Sequence, residues 1–545
     1  MLLWLLACRP DAAPPPDVSP PTATTAVTAS TGDTAPTDTI PVDDPRVEGH
    51  GVVTCADPSA RAAAPFTRVE VGTDWPMPPG YRTGAWDLRF GGRGVSVADL
   101  DGDGVLDLFV PRQRFGSRFL FGDGTGALVD RSMQALDHEL RDAYGSTAVD
   151  VEGDGDVDVL VYRQTSSPVL LVNQGDGTFE PEVHAEWDPD YVGCGGTASF
   201  GDLDLDGDLD LFYGRLGAER GETYFACAST LLRNDGVGVW TDVSSQLSAD
   251  VQFMRVMVSA WLPLDDDPWP ELYTVADLPE VLDGNRVLDN TDGVLSELPT
   301  HDLHVETAGM GLAVGDVNED GIVDLMIPGI RELLYMRSSA VGWIEASDST
   351  GMVPEPARGQ NVAWGGEFVD LDNDSYLDLP VLFGEIYGVT TPVQPDEVYR
   401  NKGDGTFERV GEAWGFDDGL FMRGYAVADL DGNGFVDVVK REFSGIVVLD
   451  LGTCDDSGWL TVRLDDATSK NPAGVGAHVV VWAGERRLHR WLLSGGTSYA
   501  SSGPLELYVG LGDLDRVDAI EVFWPDGERE LYGGADARQA VTIHR

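Results

Sequence analysis

The chain has 545 residues, long enough for a large repeat fold with a smaller unit beside it and too long for one ordinary core. Hydrophobic residues make up 42% of it, which is enough to fill such cores. With Lys+Arg 36 against Asp+Glu 93 the net charge is −57, which argues against nucleic acid and anionic lipid as partners and favours solubility and cationic ones.

In chain order, the first segment is MLLWLLAC, with Leu5, Leu6 and Ala7 standing before Cys8. It resembles the end of a bacterial lipoprotein signal, so residues 1–8 are expected to be signal and lipobox, with Cys8 the lipidated residue. Residues 9–48 are rich in Pro, Thr, Ala and Asp and hold almost nothing to bury, which predicts a disordered tether. If fully polyproline-like at about 3.1 Å per residue, such a tether reaches roughly 120 Å. No stretch is long enough to span a bilayer as a helix. The expected location is therefore extracytoplasmic, at the cell envelope or outer surface or secreted, with membrane contact through the lipid anchor only.

From residue 49 to 455 the sequence repeats. DLDGDGVLD, Asp99 to Asp107, places acids at its first, third, fifth and ninth positions: Asp99, Asp101, Asp103 and Asp107. The pattern returns as Asp150, Glu152, Asp154 and Asp158, as Asp202, Asp204, Asp206 and Asp210, and as Asp316, Asn318, Asp320 and Asp324. It returns again as Asp370, Asp372, Asp374 and Asp378, and as Asp429, Asp431, Asn433 and Asp437. Between the third and the next of these, LPLDDDPWPELY keeps Asp265, Asp267 and Glu271 but has Pro263 at the first position, so it reads as a degraded copy. Oxygen ligands spaced two apart, with a backbone carbonyl at the seventh place, can converge on calcium, which takes six to eight of them. An EF-hand is excluded, because its bidentate Glu at the twelfth place is replaced here by Val110, Val161, Tyr213, Ile327, Val381 and Lys440. The expected load is about six calcium ions, and those 24 residues are the candidate ligands.

Each acidic loop lies between apolar strand-like runs, and Gly-rich turns such as NQGDGTFEPE and NKGDGTFERV follow. Asp-Gly and Asn-Gly steps between apolar runs are hairpin signals. Four antiparallel strands per unit, repeated with a period of 50 to 60 residues, predict a seven-bladed calcium-binding β-propeller. DLDGDGVLDLFV and NQGDGTF resemble the FG-GAP or VCBS repeats of integrin α-subunit propellers and bacterial surface proteins. After the seventh loop one strand is missing. FTRVEV, Phe66 to Val71, has the right pattern to supply it beside GIVVLDL, which would close the ring.

From about residue 456 to 545 the acidic loops stop and short strands alternate with Gly and Asp turns, predicting a small all-β domain. NPAGVGA, GGTSY, VGLG and VFWPDG resemble the ASPIC/UnbV domain, and repeats followed by that domain are the arrangement of the cartilage acidic protein family and its bacterial relatives. SSGPLELYVGLG departs from that family, which more often carries a Gln and a His before the last glycines. The resemblance implies surface or matrix association. Trp524 to Gly527 reads as a packed strand and its turn.

With Cys8 assigned to lipid, Cys55, Cys194, Cys227 and Cys454 remain, an even number that favours disulfides in an exported chain. Three pairings are open; Cys194–Cys227 within one blade is the simplest, and ring closure would bring Cys55 to Cys454. No pair has the close spacing of a zinc site. No HExxH, GxSxG or phosphate-cradling glycine loop occurs, and His301 and His304 are the nearest thing to a histidine site. Two functional classes follow: a calcium-stabilised, envelope-anchored module for binding, adhesion or assembly with a protein or glycan ligand, or an envelope enzyme, for example polysaccharide-active, using the propeller as a platform.

Overall fold

The computed structural model describes residues 44–545 apart from 74, 76–93, 114, 164–165, 185–186, 188–193, 221–222, 226, 237–238, 278–283, 355–361, 385–394, 418, 443–444 and 496. Cys8 and residues 9–43 lie outside the described residues. The architecture is all-β. Within it, each acidic loop connects the first and second strands of its own antiparallel sheet. In the first sheet the order is Ser96–Ala98, Asp107–Val110, Arg118–Gly122 and Leu128–Asp130. The second repeats it with Ala143–Val149, Asp158–Arg163, Val169–Asn173 and Phe179–Glu182. First and second strands are buried along almost their whole length, whereas the outermost strands alternate or face water. That gradient is what a blade seen from axis to rim requires.

Neighbouring sheets share apolar clusters. Phe109 and Phe119 of the first sheet pack with Val159 and Val161 of the second. Tyr162 and Leu160 of the second meet Phe200 and Leu211 of the third. At the other end of the series, Val439 and Leu449 meet Val97 and Leu108, so the last repeat packs against the first. The expected closing strand is present: Phe66–Val71 pairs antiparallel with Val447–Gly452, from Phe66 opposite Gly452 to Val71 opposite Val447. It also carries Arg68 to Asp450, Nε to Oδ1 at 2.8 Å, and Asp450 in turn faces the fully buried Lys440 at 2.7 Å. A buried lysine is tolerated because it is paired on two sides, the second being Asp396 at 3.0 Å.

Both disulfides are present, with Cα atoms 5.7 Å apart for Cys55–Cys454 and 6.3 Å apart for Cys194–Cys227. Disulfides of this kind persist in oxidising compartments outside the cytosol. No helix among the described residues is long and apolar enough to cross a membrane.

The chain from Gly458 onward forms a three-stranded and a four-stranded sheet packed face to face around Leu460, Val479, Val481, Ile520 and Val541. One sheet gains a strand that the sequence reading placed at the tether and the propeller's start: Val47–Gly49 pairs with the last strand, Val47 opposite Ile543. The order expected to begin at residue 49 thus begins earlier, and it begins on the C-terminal unit. Alternation was too brief there to register as a strand; a neighbouring edge decided it.

A second long-range feature fills the ring's axis. Ser494–Gly495 adds a short strand beside Ser199 and Phe200, and the chain continues through Thr497 to Ser502 between the innermost strands. Leu312 N donates to Thr497 O at 2.9 Å, Ser146 N to Ala500 O at 3.1 Å and Val97 N to Ser502 O at 3.1 Å. Ser501 and Ser502 accept from Val95 N and Ala148 N through their hydroxyls, at 3.1 and 2.9 Å. Innermost strands expose unpaired backbone toward the axis, and this segment supplies the partners. Its small residues suit so narrow a space: a Cβ added to Gly94 would lie 1.8 Å from Ala500 O. Tyr499 is the exception in size, buried with its ring 5.4 Å from that of Trp364 in a cluster with Tyr144, Tyr162 and Tyr213. Tyr499→Ala is expected to cost about 3–5 kcal/mol, by analogy with truncation of other buried aromatic rings. Denaturant unfolding that moved by less than about 1 kcal/mol would show that the axial segment is only loosely seated.

Candidate metal centres

Each acidic loop is shaped by its own carboxylates. Asp99 accepts from Gly102 N at 2.9 Å and Gly104 N at 2.8 Å, curling the loop around its side chain. Asp107, at the ninth place, holds Leu100 N with one oxygen and Gly122 N with the other, both at 2.8 Å, tying the loop to the third strand. The scheme recurs: Asp150 holds Gly153 and Gly155, Asp202 holds Gly207, Asp316 holds Gly321, Asp370 holds Ser375 and Asp429 holds Gly434. At the ninth place Asp158 holds Asn173, Asp210 holds Asn234, Asp324 holds Ser338, Asp378 holds Asn401 and Asp437 holds Gly452. The ninth residue was read from sequence as a ligand alone. In the structure it is also the loop's clasp.

The remaining oxygens converge. Asp99, Asp101 and Asp107 offer oxygens within 4.8 Å of one another, as do Asp150, Glu152 and Asp158, then Asp202, Asp204 and Asp206, and Asp370, Asp372 and Asp374. Asp265, Asp267 and Glu271 of the fourth loop do the same, although the copy lacks its first carboxylate. At the third place, one oxygen each of Asp101, Asp204 and Asp372 is buried with no hydrogen-bond partner. In each case an arginine attends the other oxygen: Arg131 on Asp101 at 3.1 Å, Arg233 near Asp204 at 3.6 Å and Arg400 on Asp372 at 2.5 Å. These arginines were not anticipated, because nothing in their local sequence ties them to a loop about 30 residues away. Asp103 and Asp154 cap the turn, accepting from Val105 N and Asp156 N. Asp320 does so for Ile322 N, while Asn318 donates to Asp320 and Asn433 to Gly452 O. Asp431 accepts from Asn433 N at 3.2 Å.

Burial and crowding disfavour the charged forms. Burial first, and neighbouring carboxylates second, push Asp107 and Asp202 up to about 7 and Asp316 up to about 8. Asp210, Asp370 and Asp437 are driven well above the carboxylate range for the same reasons. Buried oxygens without hydrogen-bond partners, crowded hard-oxygen donors and no sulfur or nitrogen in the set fit a hard divalent cation.

The C-terminal unit sits on the loop face. Lys470 pairs with Asp208, Arg486 with Glu319, and Asp429 N donates to Tyr508 Oη at 3.1 Å. Gly510 passes so close that an added Cβ would be 1.8 Å from Asp370 Oδ2. Arg490, buried there, brings positive charge beside Asp370 and Asp316. The two histidines do not form a site: His301 lies against Trp343, ring centroids 5.3 Å apart, and His304 is taken by Arg286 and Pro299 O.

Sheets with acidic loops are capped by a β-sandwich, and family models match parts of both. The FG-GAP-like repeat model matches residues 150–213 and 383–439, and the model for ASPIC and UnbV matches residues 467–545. Human cartilage acidic protein 1 is 24% identical over 505 residues, covering 86% of this chain and 73% of that protein. The mouse cartilage acidic protein 1 is also 24% identical, covering 86% and 75%, so these proteins are homologues of this one. Among solved structures, the BP39L lectin from Burkholderia pseudomallei aligns with 11% identity and a TM-score of 0.42, covering 67% of this chain and 98% of that one. Virginiamycin B lyase from Staphylococcus aureus aligns with 10% identity and a TM-score of 0.40, covering 71% and 99%.

Proposed function

We propose that this protein is a calcium-stabilised extracytoplasmic module for binding, adhesion or assembly, carried on the cell envelope by a lipid on Cys8. The observation that carries the calcium reading is the set of buried, unpartnered oxygens on Asp101, Asp204 and Asp372, each among converging carboxylates. Once bound, calcium supplies charge neutralisation and cross-links the two ends of each loop; it is assigned no reaction step. Asp99, Asp101 and Asp107 would hold it in the first loop, with the corresponding residues in the others.

The non-enzymatic reading is favoured over a substrate platform by the filled axis. The channel of a ring is the natural place for a small substrate, and here Ser494–Gly495 and Thr497 to Ser502 bond to the innermost strands along it. The ligand is then a protein or glycan meeting the outer surface, and the net charge of −57 makes nucleic acid a poor one. Glycan-array and pull-down binding with calcium-loaded protein, run beside a hydrolase and lyase screen, tests this. Saturable calcium-dependent binding without turnover is expected; turnover abolished by a single substitution such as His301→Ala would overturn it. For the anchor, the protein is expected to partition into the detergent phase, and Cys8→Ser to move it to the aqueous phase. Identical partitioning of the two would remove the lipid from the proposal.

A further inference from the structure

The fourth loop, Pro263 to Glu271, differs from the other six in a way that leaves a carboxylate oxygen over. In those six, the ninth residue is aspartate and both its oxygens are spent, one on a loop N–H and one on the N–H of Gly122, Asn173, Asn234, Ser338, Asn401 or Gly452. Here the ninth residue is glutamate. Glu271 Oε2 accepts from Leu264 N at 2.6 Å, so the loop clasp is kept. Glu271 Oε1 has no hydrogen-bond partner, and the residue is only 2% exposed. Asn290, on the third strand where Asn173 stands, donates through Nδ2 to Leu203 O and Pro270 O, as Asn173 does to Leu100 O and Val157 O.

Glu271 offers an oxygen within 4.8 Å of oxygens from Asp265 and Asp267, and its Oε1 is the one with no hydrogen-bond partner. Pro263 offers no side-chain oxygen at the first position. An ionised carboxylate oxygen buried with no partner is costly, and a bound cation is what would offset it. We infer that the fourth loop is a seventh divalent-cation site, in which Glu271 replaces the missing first-place carboxylate and works with Asp265 and Asp267. The inference rests on the reading that the other six loops hold calcium, and it replaces the count of six expected from sequence. With one side-chain oxygen position fewer than any other loop, because of Pro263, this site is the weakest of the seven and the first to empty.

The full chain, stripped and reloaded with calcium, is expected to bind seven ions per chain by elemental analysis after dialysis against saturating calcium. Glu271→Gln and, on the exposed part of the loop, Asp265→Asn are each expected to bind six. Six ions in the unaltered chain, or seven retained in Asp265→Asn, overturns the seventh site and leaves the other loops standing. No bound calcium at all overturns both. Terbium gives an independent readout, because Trp269 stands at the seventh position of this loop. Trp269→Phe is expected to remove the last, weakest phase of tryptophan-sensitised emission, and an unchanged titration would count against the site.

Discussion

Removal of calcium is expected to lower the melting temperature by more than about 10 °C. A ligand held only by the folded state contributes about 2.7 kcal/mol per site at a hundredfold excess over its dissociation constant, and the sites here act on one structure. The loops lie under the C-terminal unit, so their loss should loosen Lys470, Arg486 and Tyr508 contacts as well as the sheets. The effect depends on pH with a definite sign. Asp107, Asp150 and Asp202 are raised to about 7, 6 and 7, chiefly by burial, so in metal-free protein the folded state favours their neutral forms. Raised carboxylate values make the folded state bind more protons than the unfolded chain, whose aspartates titrate near 3.9. Metal-free stability should therefore fall as pH rises from about 4 to 8, across the window between those values. Calcium needs the ionised ligands, so the stabilisation it adds should grow over the same range. Melting curves with excess chelator and with calcium at pH 5, 6, 7 and 8 test both statements. A metal-free melt that matched the calcium-loaded one at pH 8 would refute them.

Breaking the Cys55–Cys454 bond is expected to be the costliest covalent change. The residues are 399 apart in sequence, against 33 for Cys194–Cys227. On the chain-entropy account, closing the longer loop contributes about 6 kcal/mol and the shorter about 4 kcal/mol. The long bond also lies between two features that depend on the same segment: Val47–Gly49 on the C-terminal sheet and Phe66–Val71 on the last blade. Paired serine substitutions at Cys55 and Cys454 should therefore destabilise more than the pair at Cys194 and Cys227, by about 2 kcal/mol, and should expose the closing strand to proteolysis. Equal losses, or a larger one at Cys194 and Cys227, would set that account aside.

The sequence by itself determined what is local and repeated. A nine-residue pattern recurring between apolar runs specifies a turn, its flanking strands and a donor set, because each depends on residues a few positions apart. Ring closure was legible for a related reason: six units showed four strands, the seventh showed three, and Phe66–Val71 was the strand left over. Tertiary structure alone decided where the small polar residues go. Ser494 to Ser502 carries no periodicity and no hydrophobic signal, and the place of Ser494–Gly495 and Thr497 to Ser502 on the axis follows from unpaired strand edges contributed by residues hundreds of positions away. The same holds for Arg131, Arg233 and Arg400, which reach loops about 30 residues distant. It holds too for Glu271, whose letter reads as a conservative exchange for aspartate. Its nearness to Asp265 and Asp267 and its unpartnered Oε1 arise only once the loop and its strands are in place, and those are set by the fold.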